Sequence, residues 1–394
     1  MSETTERVRA FYERYPYPDY TGLQVRADSF PHWLIAQVDR EQWPRELTLL
    51  DAGCGTGAGL AAAAALHPAV KAVGVDLSGA SIELARQRLA GLQNVGLMAG
   101  DLMDPAVAAA LRTEAPAGFD VIYLSGVLHH VGEPGALLRQ LAGLLAPDGV
   151  ISLMVYAHYG RLPATRLHRA LALASPEAAG RPALARAILD SLEPGPILRG
   201  PFDDARTVGE VELADRYLHP HAEPMRVSEL FALLDGAELR LLRWLEPRAW
   251  SPRAVLGDGP AARAIEALDP RVQAQVLEEL FDHPALECLL THASRGDRPP
   301  PEEDPLERVI DRNPQVALRG VVRAVGPLRL DEGQQARLRG GPWEPIEGLD
   351  AALFGAIEGP IRFGELLAQG GFEPRAATEA LERLLARELI YRPV

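Results

Sequence analysis

The densest cluster of residues able to do chemistry is Leu49-Leu50-Asp51-Ala52-Gly53-Cys54-Gly55-Thr56-Gly57, an apolar run and a carboxylate followed by three alternating glycines. Glycines let a ligand approach the backbone closely, and a helix starting behind them offers amide donors and the positive end of a dipole. Twenty-three residues after Gly53, at the end of the next apolar run, stands Asp76, where a carboxylate can accept both hydroxyls of a ribose. Asp101 follows the third apolar run and is positioned for the exocyclic amine of an adenine. The pattern implies a nucleoside cofactor. Gly53, Gly55 and Ala58 also satisfy the relaxed dinucleotide pattern of a dehydrogenase, so spacing alone is ambiguous. Asp51 tips the balance, because a carboxylate beside the cradle suits an ammonium or sulfonium and would repel a pyrophosphate. S-adenosylmethionine fits that description.

The elements that must position these residues follow from the periodicity. Short apolar runs at 47–50, 72–75, 95–98, 120–124 and 150–155 alternate with helical patterns at 79–91 and 134–145, the rhythm of a parallel sheet. A helix over 226–235 leads into a strand over 239–245, and 286–293 completes the sheet. The fold class expected is α/β: a doubly wound, mostly parallel, Rossmann-like sheet of seven strands with a helical insertion and a small C-terminal winged-helix-like domain. Near the N-terminus Val8, Phe11, Tyr12 and Tyr15 form one apolar stripe, stopped by the prolines of Tyr15-Pro16-Tyr17-Pro18. The domain boundaries read as an N-terminal helical lid (1–46), a cofactor-binding core (47–156), a helical insertion forming the acceptor site (157–225), completion of the core sheet with inserted helices (226–294), a charged, proline-rich linker (295–308) and the C-terminal unit (309–394).

Composition sets the outer limits. The 394 residues are 47% hydrophobic and 24% charged, with 40 basic against 54 acidic side chains and a net charge of −14. That balance fits a globular protein and disfavours a phosphate backbone as partner, so no nucleic acid is expected. Two cysteines, Cys54 and Cys288, form neither a disulfide framework nor a thiolate metal site. With no export signal and no long apolar run, a cytoplasmic location and no membrane partner are expected. In the last helical stretch Arg375, Arg383 and Arg387 alternate with Glu379, Glu382 and Glu388, so a protein is a better partner for that unit than DNA.

At this point the chain resembles the class I S-adenosylmethionine-dependent methyltransferases. LLDAGCGTG, GVDLS, AGDLMD, FDVIYLSGVLHHV and LLAPDGVISLMVY occur in that family's order and spacing across about residues 47–156. The resemblance implies that Asp51, Gly53, Gly55 and Gly57 hold the methionine part, Asp76 the ribose, Leu77 and the Asp101-Leu102 pair the adenine, and that Ser125 faces the sulfonium. A narrower likeness, in SGVLHHV, MVYAHYGR and LHPHAEPMRVSELFALLDGAELRLLRWLEP, is to bacterial methyltransferases related to the rickettsial protein-lysine methyltransferases.

Methyl transfer needs positioning more than acid or base chemistry, since the sulfonium is itself a reactive donor. Candidates on the acceptor side are His129 and His130 after the fourth strand, and Tyr156 and Tyr159 after the fifth, where open α/β sheets place their ligands. Tyr15 and Tyr17 are either a lid over the cofactor or core anchors. Adjacent histidines seldom face one cavity, so at most one of the pair is expected to act. His219, His221 and Glu223 have the alternation of a metal site on a strand, but Pro220 and Pro224 favour a turn, and no metal is expected. The function expected is transfer of a methyl group to a nucleophilic nitrogen or oxygen of a small molecule, protein or peptide. The alternatives are an NAD(P)-binding oxidoreductase and a cofactor-binding regulatory or scaffold protein without transfer activity. The apolar helices leave a homodimer open.

Overall fold

The computed structural model describes residues 2–19, 47–66, 70–175, 177, 180–191, 208–296, 309–312, 316–319, 335–338, 344–357, 361–386 and 389–391. These fall into two compact units, one ending at Gly296 and the other beginning beyond it. In the first, the apolar runs become β1 (Leu47–Ala52), β2 (Val70–Asp76), β3 (Val95–Ala99), β4 (Phe119–Ser125) and β5 (Leu145–Tyr156). They pair in parallel. Later in the chain, β7 (Ala285–His292) joins β5 antiparallel and β6 (Leu239–Trp244) pairs antiparallel with its outer edge. The sheet therefore has seven strands in the order β3-β2-β1-β4-β5-β7-β6. The order reverses between β1 and β4, and a crevice beyond the strand ends is the natural ligand position at such a switch point.

The crossovers are α2 (Ala58–Leu66), α3 (Gly79–Arg88), α4 (Pro105–Glu114) and α5 (Pro134–Ala142). Helix α3 begins because Ser78 accepts the Ser81 N–H at 3.0 Å. Helix α4, absent from the periodicity reading, starts at an Asp104 cap with Pro105 in its first turn and buries Val107, Ala108 and Leu111. The helix expected over 134–145 stops at Ala142, because the Phe119 N–H donates to the Leu144 carbonyl at 2.8 Å and Leu145 pairs with Phe119 in the sheet. The main core is aliphatic, with Leu50, Ile122, Leu124, Ile151 and Leu153 fully buried.

Helix α1 (Glu3–Arg14) precedes the sheet and buries Val8. The insertion after β5 is α6 (His158–Ala174), α7 (Arg181–Ser191) and α8 (Glu210–Leu218), held by a small core of its own around Leu171, Leu189, Leu213 and Tyr217. Helix α9 (Val227–Gly236) leads to β6, and α10 (Pro252–Leu256), α11 (Pro260–Glu266) and α12 (Pro270–Leu280) precede β7.

The second unit contains β8 (Val309–Arg312), β9 (Val316–Arg319), β10 (Gln335–Leu338), β11 (Glu344–Pro345), α13 (Gly348–Ala356), β12 (Ile361–Arg362), α14 (Phe363–Gly370), α15 (Pro374–Ala386) and β13 (Ile390–Tyr391). Its strands make two small sheets, β11-β10-β9 and β12-β8-β13. Phe354, Phe363, Leu381 and Leu384 form its core. Arg383 pairs with Asp350 at 2.7 Å and Arg375 with Glu379 at 3.5 Å. Arg387, Glu388 and most of the expected linker lie outside the described residues.

Candidate active site

The glycine loop follows β1 at the switch point. Gly53 and Cys54 both donate their N–H groups to the Val75 carbonyl, at 2.8 and 3.0 Å, which ties the loop to the end of β2. Gly55 has φ +51°, and a Cβ there would run into the Tyr17 carbonyl oxygen. Asp76 closes the other side: one carboxylate oxygen accepts the Gly55 N–H at 2.8 Å and the other the Ser78 N–H at 2.9 Å. A carboxylate has about four lone-pair positions, so two remain for a diol. Burial raises the Asp76 pKa, opposed by those two N–H groups. Burial and the neighbouring Asp76 push Asp51 up to about 8.

The N-terminal segment packs on this loop. Thr56 donates its N–H to the Tyr17 carbonyl at 3.1 Å and its hydroxyl to the Pro18 carbonyl at 2.7 Å. Glu13 caps α3, accepting the Gly79 N–H at 2.6 Å and the Ala80 N–H at 3.3 Å. Tyr17 thus reaches the loop through its backbone. The Tyr15 ring lies against Phe11, 5.3 Å between centroids, as their shared place on the apolar stripe of α1 leads one to expect.

A second cluster gathers at the ends of β4 and β5. His129 and His130 lie in a single 3₁₀ turn, Leu128–His130, and both are buried. The His129 ring stacks on Tyr156 at 3.8 Å, and the Arg161 guanidinium lies over the same tyrosine at 3.6 Å. The His130 ring lies 3.6 Å from His219, which also meets Phe11 and Tyr12. Tyr12 donates its hydroxyl to Asp215 at 3.0 Å. Burial lowers the pKa of His129, His130 and His219, that of His130 to about 4, so all three are neutral near pH 7.

Of the four acceptor-side candidates, His129, His130 and Tyr156 are brought together. Tyr159 is not: its hydroxyl donates to Glu279 at 2.6 Å under the Arg226 side chain, pinned to α12. Ser125 and Leu77 end β4 and follow β2, half-buried. Asp101 accepts the Met103 N–H at 2.8 Å through one oxygen, and Leu102 is buried. His219 turns back locally, its Nδ1 accepting the His221 N–H at 3.2 Å, while the Glu223 side chain is 75% exposed. These three do not converge, and among the described residues no group of side chains is arranged for a metal. The sequence carries no signal for Glu13 or Asp215, because the partners of each, Gly79 and Tyr12, lie far away along the chain.

Asp51 is buried and Asp76 half-buried, and neither carboxylate has a basic partner among the described residues. A cofactor carrying an ammonium and a sulfonium would supply the missing positive charge, and the lone pairs of Asp76 not used by Gly55 and Ser78 could accept ribose hydroxyls, so these residues fit S-adenosylmethionine. When bound, it supplies an electrophilic methyl group. The sheet order, this loop and a methyltransferase domain matched over residues 50–151 are those of an S-adenosylmethionine-dependent methyltransferase with a class I fold.

Comparison with known proteins agrees. Residues 50–151 match the family model described as a methyltransferase domain. The chain is 39% identical over 163 residues to trans-aconitate 2-methyltransferase of Methylobacterium radiotolerans, covering 41% of this chain and 57% of that protein. It is 27% identical over 303 residues to an uncharacterized protein of Synechococcus, covering 68% of this chain and 70% of the relative. The named methyltransferase is thus matched over little more than half its length. The structure of PKMT2 from Rickettsia typhi, also solved with AdoHcy, shares the fold at TM-score 0.69 and 19% identity, over 95% of this chain and 77% of that one. No helix among the described residues is long and apolar enough to cross a membrane.

Proposed function

We propose that the enzyme methylates a nucleophilic side chain of a protein or peptide. What supports this reading is the extent of the fold likeness to PKMT2, 95% of the chain, which takes in the helical insertion and the second unit. In this reading Asp51 and Gly53, Gly55 and Gly57 hold the methionine part, Asp76 the ribose, Leu77, Asp101 and Leu102 the adenine, and Ser125 faces the sulfonium. Helix α1 with Tyr15 and Tyr17 forms the lid, the insertion shapes the acceptor site beside His130 and Tyr156, and the winged-helix-like second unit grasps the partner. A second reading, a small-molecule acceptor, is favoured by the 39% identity to trans-aconitate 2-methyltransferase. Incubation with methyl-labelled S-adenosylmethionine and extract of the source cell tests both. Label in the macromolecular fraction is expected, and label confined to small molecules would replace the first reading by the second.

A further inference from the structure

We propose that His130, and not its neighbour His129, takes the proton of the methyl acceptor, because the fold locks these adjacent imidazoles in opposite tautomers. The inference deepens the methyl-transfer reading above and rests on it, without depending on whether the acceptor is a protein or a small molecule. His130 Nδ1 lies 2.7 Å from the His221 carbonyl oxygen. A carbonyl only accepts, so Nδ1 carries the hydrogen and Nε2 carries the lone pair. At His129 the order is reversed: Nδ1 accepts the Tyr156 N–H at 3.3 Å, which places the hydrogen on Nε2. That Nε2 is sealed from solvent without a partner, as are Nε2 of His219 and of His221, whereas His130 Nε2 is not among the sealed atoms.

The pair therefore divides its work. His129 is clamped between the Tyr156 backbone and ring and presents no lone pair. His130 has its donor side anchored on the His219–Glu223 loop of the insertion, which leaves the lone pair on Nε2. The Glu223 N–H in turn donates to the His129 carbonyl at 2.9 Å, so loop and turn hold each other in place. As the acceptor's lone pair forms its bond to the methyl carbon, the methyl–sulfur pair stays on sulfur. The acceptor's O–H or N–H bond then breaks, its pair remains on the acceptor atom, and the proton passes to Nε2 to give an imidazolium. His221 is a positioning residue, acting through its carbonyl alone.

Nitrogen-15 histidine spectra of the full chain at pH 7.5, assigned with His129→Asn and His130→Asn, read the tautomers directly. Asparagine keeps a local bond in each case, an amide N–H to the His221 carbonyl at position 130 and an amide oxygen for the Tyr156 N–H at position 129. The expected spectra show hydrogen on Nδ1 of His130 and on Nε2 of His129. Total transfer from labelled S-adenosylmethionine into both fractions of the extract should fall about 100-fold or more in His130→Asn and less than about tenfold in His129→Asn. Calorimetric cofactor affinity should stay within about twofold of wild type in His130→Asn. Hydrogen on Nε2 of His130, transfer by His130→Asn within about tenfold of wild type, or parallel loss of cofactor binding would each overturn the proposal. Wild-type protein that transfers no label overturns the methyl-acceptor reading instead, and the tautomer spectrum then still decides this inference.

Discussion

Tyr12 and Asp215, 203 positions apart, meet in a hydrogen bond of 3.0 Å that joins helix α1 to the insertion. Asp215 is buried, which pushes its pKa up to about 6, and the Tyr12 hydroxyl opposes that rise. A carboxyl raised in the folded state contributes stability that is complete below its ordinary pKa, near 3.8, and is lost as pH rises through about 6. Removing the hydroxyl in Tyr12→Phe raises the folded pKa further. The variant should lose about 1.5–3 kcal/mol at pH 8 and clearly less at pH 5, measured by urea denaturation at both values. Equal losses at the two pH values would count against a charged Asp215 as the acceptor of this bond.

Asp51 predicts how cofactor binding follows pH. Its free pKa is about 8, against an ordinary 3.8, and an ammonium beside it favours the ionised form. Binding therefore releases a proton, and affinity should rise with pH by up to about tenfold per unit until about pH 8. In the unliganded chain the sign is opposite: the contribution of Asp51 to stability, whole below about pH 4, fades as pH rises through about 8. Calorimetry of S-adenosylmethionine from pH 6 to 8 checks the first statement, and Asp51→Asn should bind weakly with a flat profile.

Asp76 fixes the Gly55 and Ser78 N–H groups, and in the proposed reading its remaining lone pairs take the ribose hydroxyls. Asp76→Ala should weaken S-adenosylmethionine binding by at least about 1.5 kcal/mol and lower the melting temperature of the unliganded chain as well. An unchanged dissociation constant would remove Asp76 from the cofactor site.

Gly55→Ala places a methyl group on a backbone at φ +51° and against the Tyr17 carbonyl. The left-handed conformation alone costs about 1 kcal/mol, and the carbonyl belongs to backbone that must move as a piece. Weaker cofactor binding, together with faster proteolysis around residues 15–19, is the expected pair of results.

His219→Phe keeps the ring against Phe11, Tyr12 and His130 but removes a titratable group whose pKa burial has lowered. Such an imidazole contributes stability above its ordinary value, 6.5, that is lost as pH falls toward the lowered one. Relative to wild type, the variant should gain up to about 1.4 kcal/mol for each pH unit between 6.5 and 5, read from denaturation midpoints.

The amino-acid sequence by itself determined the strands β1 to β5, the glycine loop, and the acid that ends β2. Each is a local property: apolar alternation sets the strands, left-handed glycines set the turn, and Asp76 reaches Gly55 across only one strand–helix–strand unit. Tertiary structure decided what periodicity does not carry. It slid β7 between β5 and β6, and it cut α5 short to give Leu145 to the sheet. It also drew Tyr159 away to Glu279. Above all it brought the His221 carbonyl to His130 across 91 positions, which gives two adjacent and chemically identical side chains opposite hydrogen-bond roles at Nδ1. A tautomer depends on which atom lies 3 Å away, and that is set by packing between distant segments.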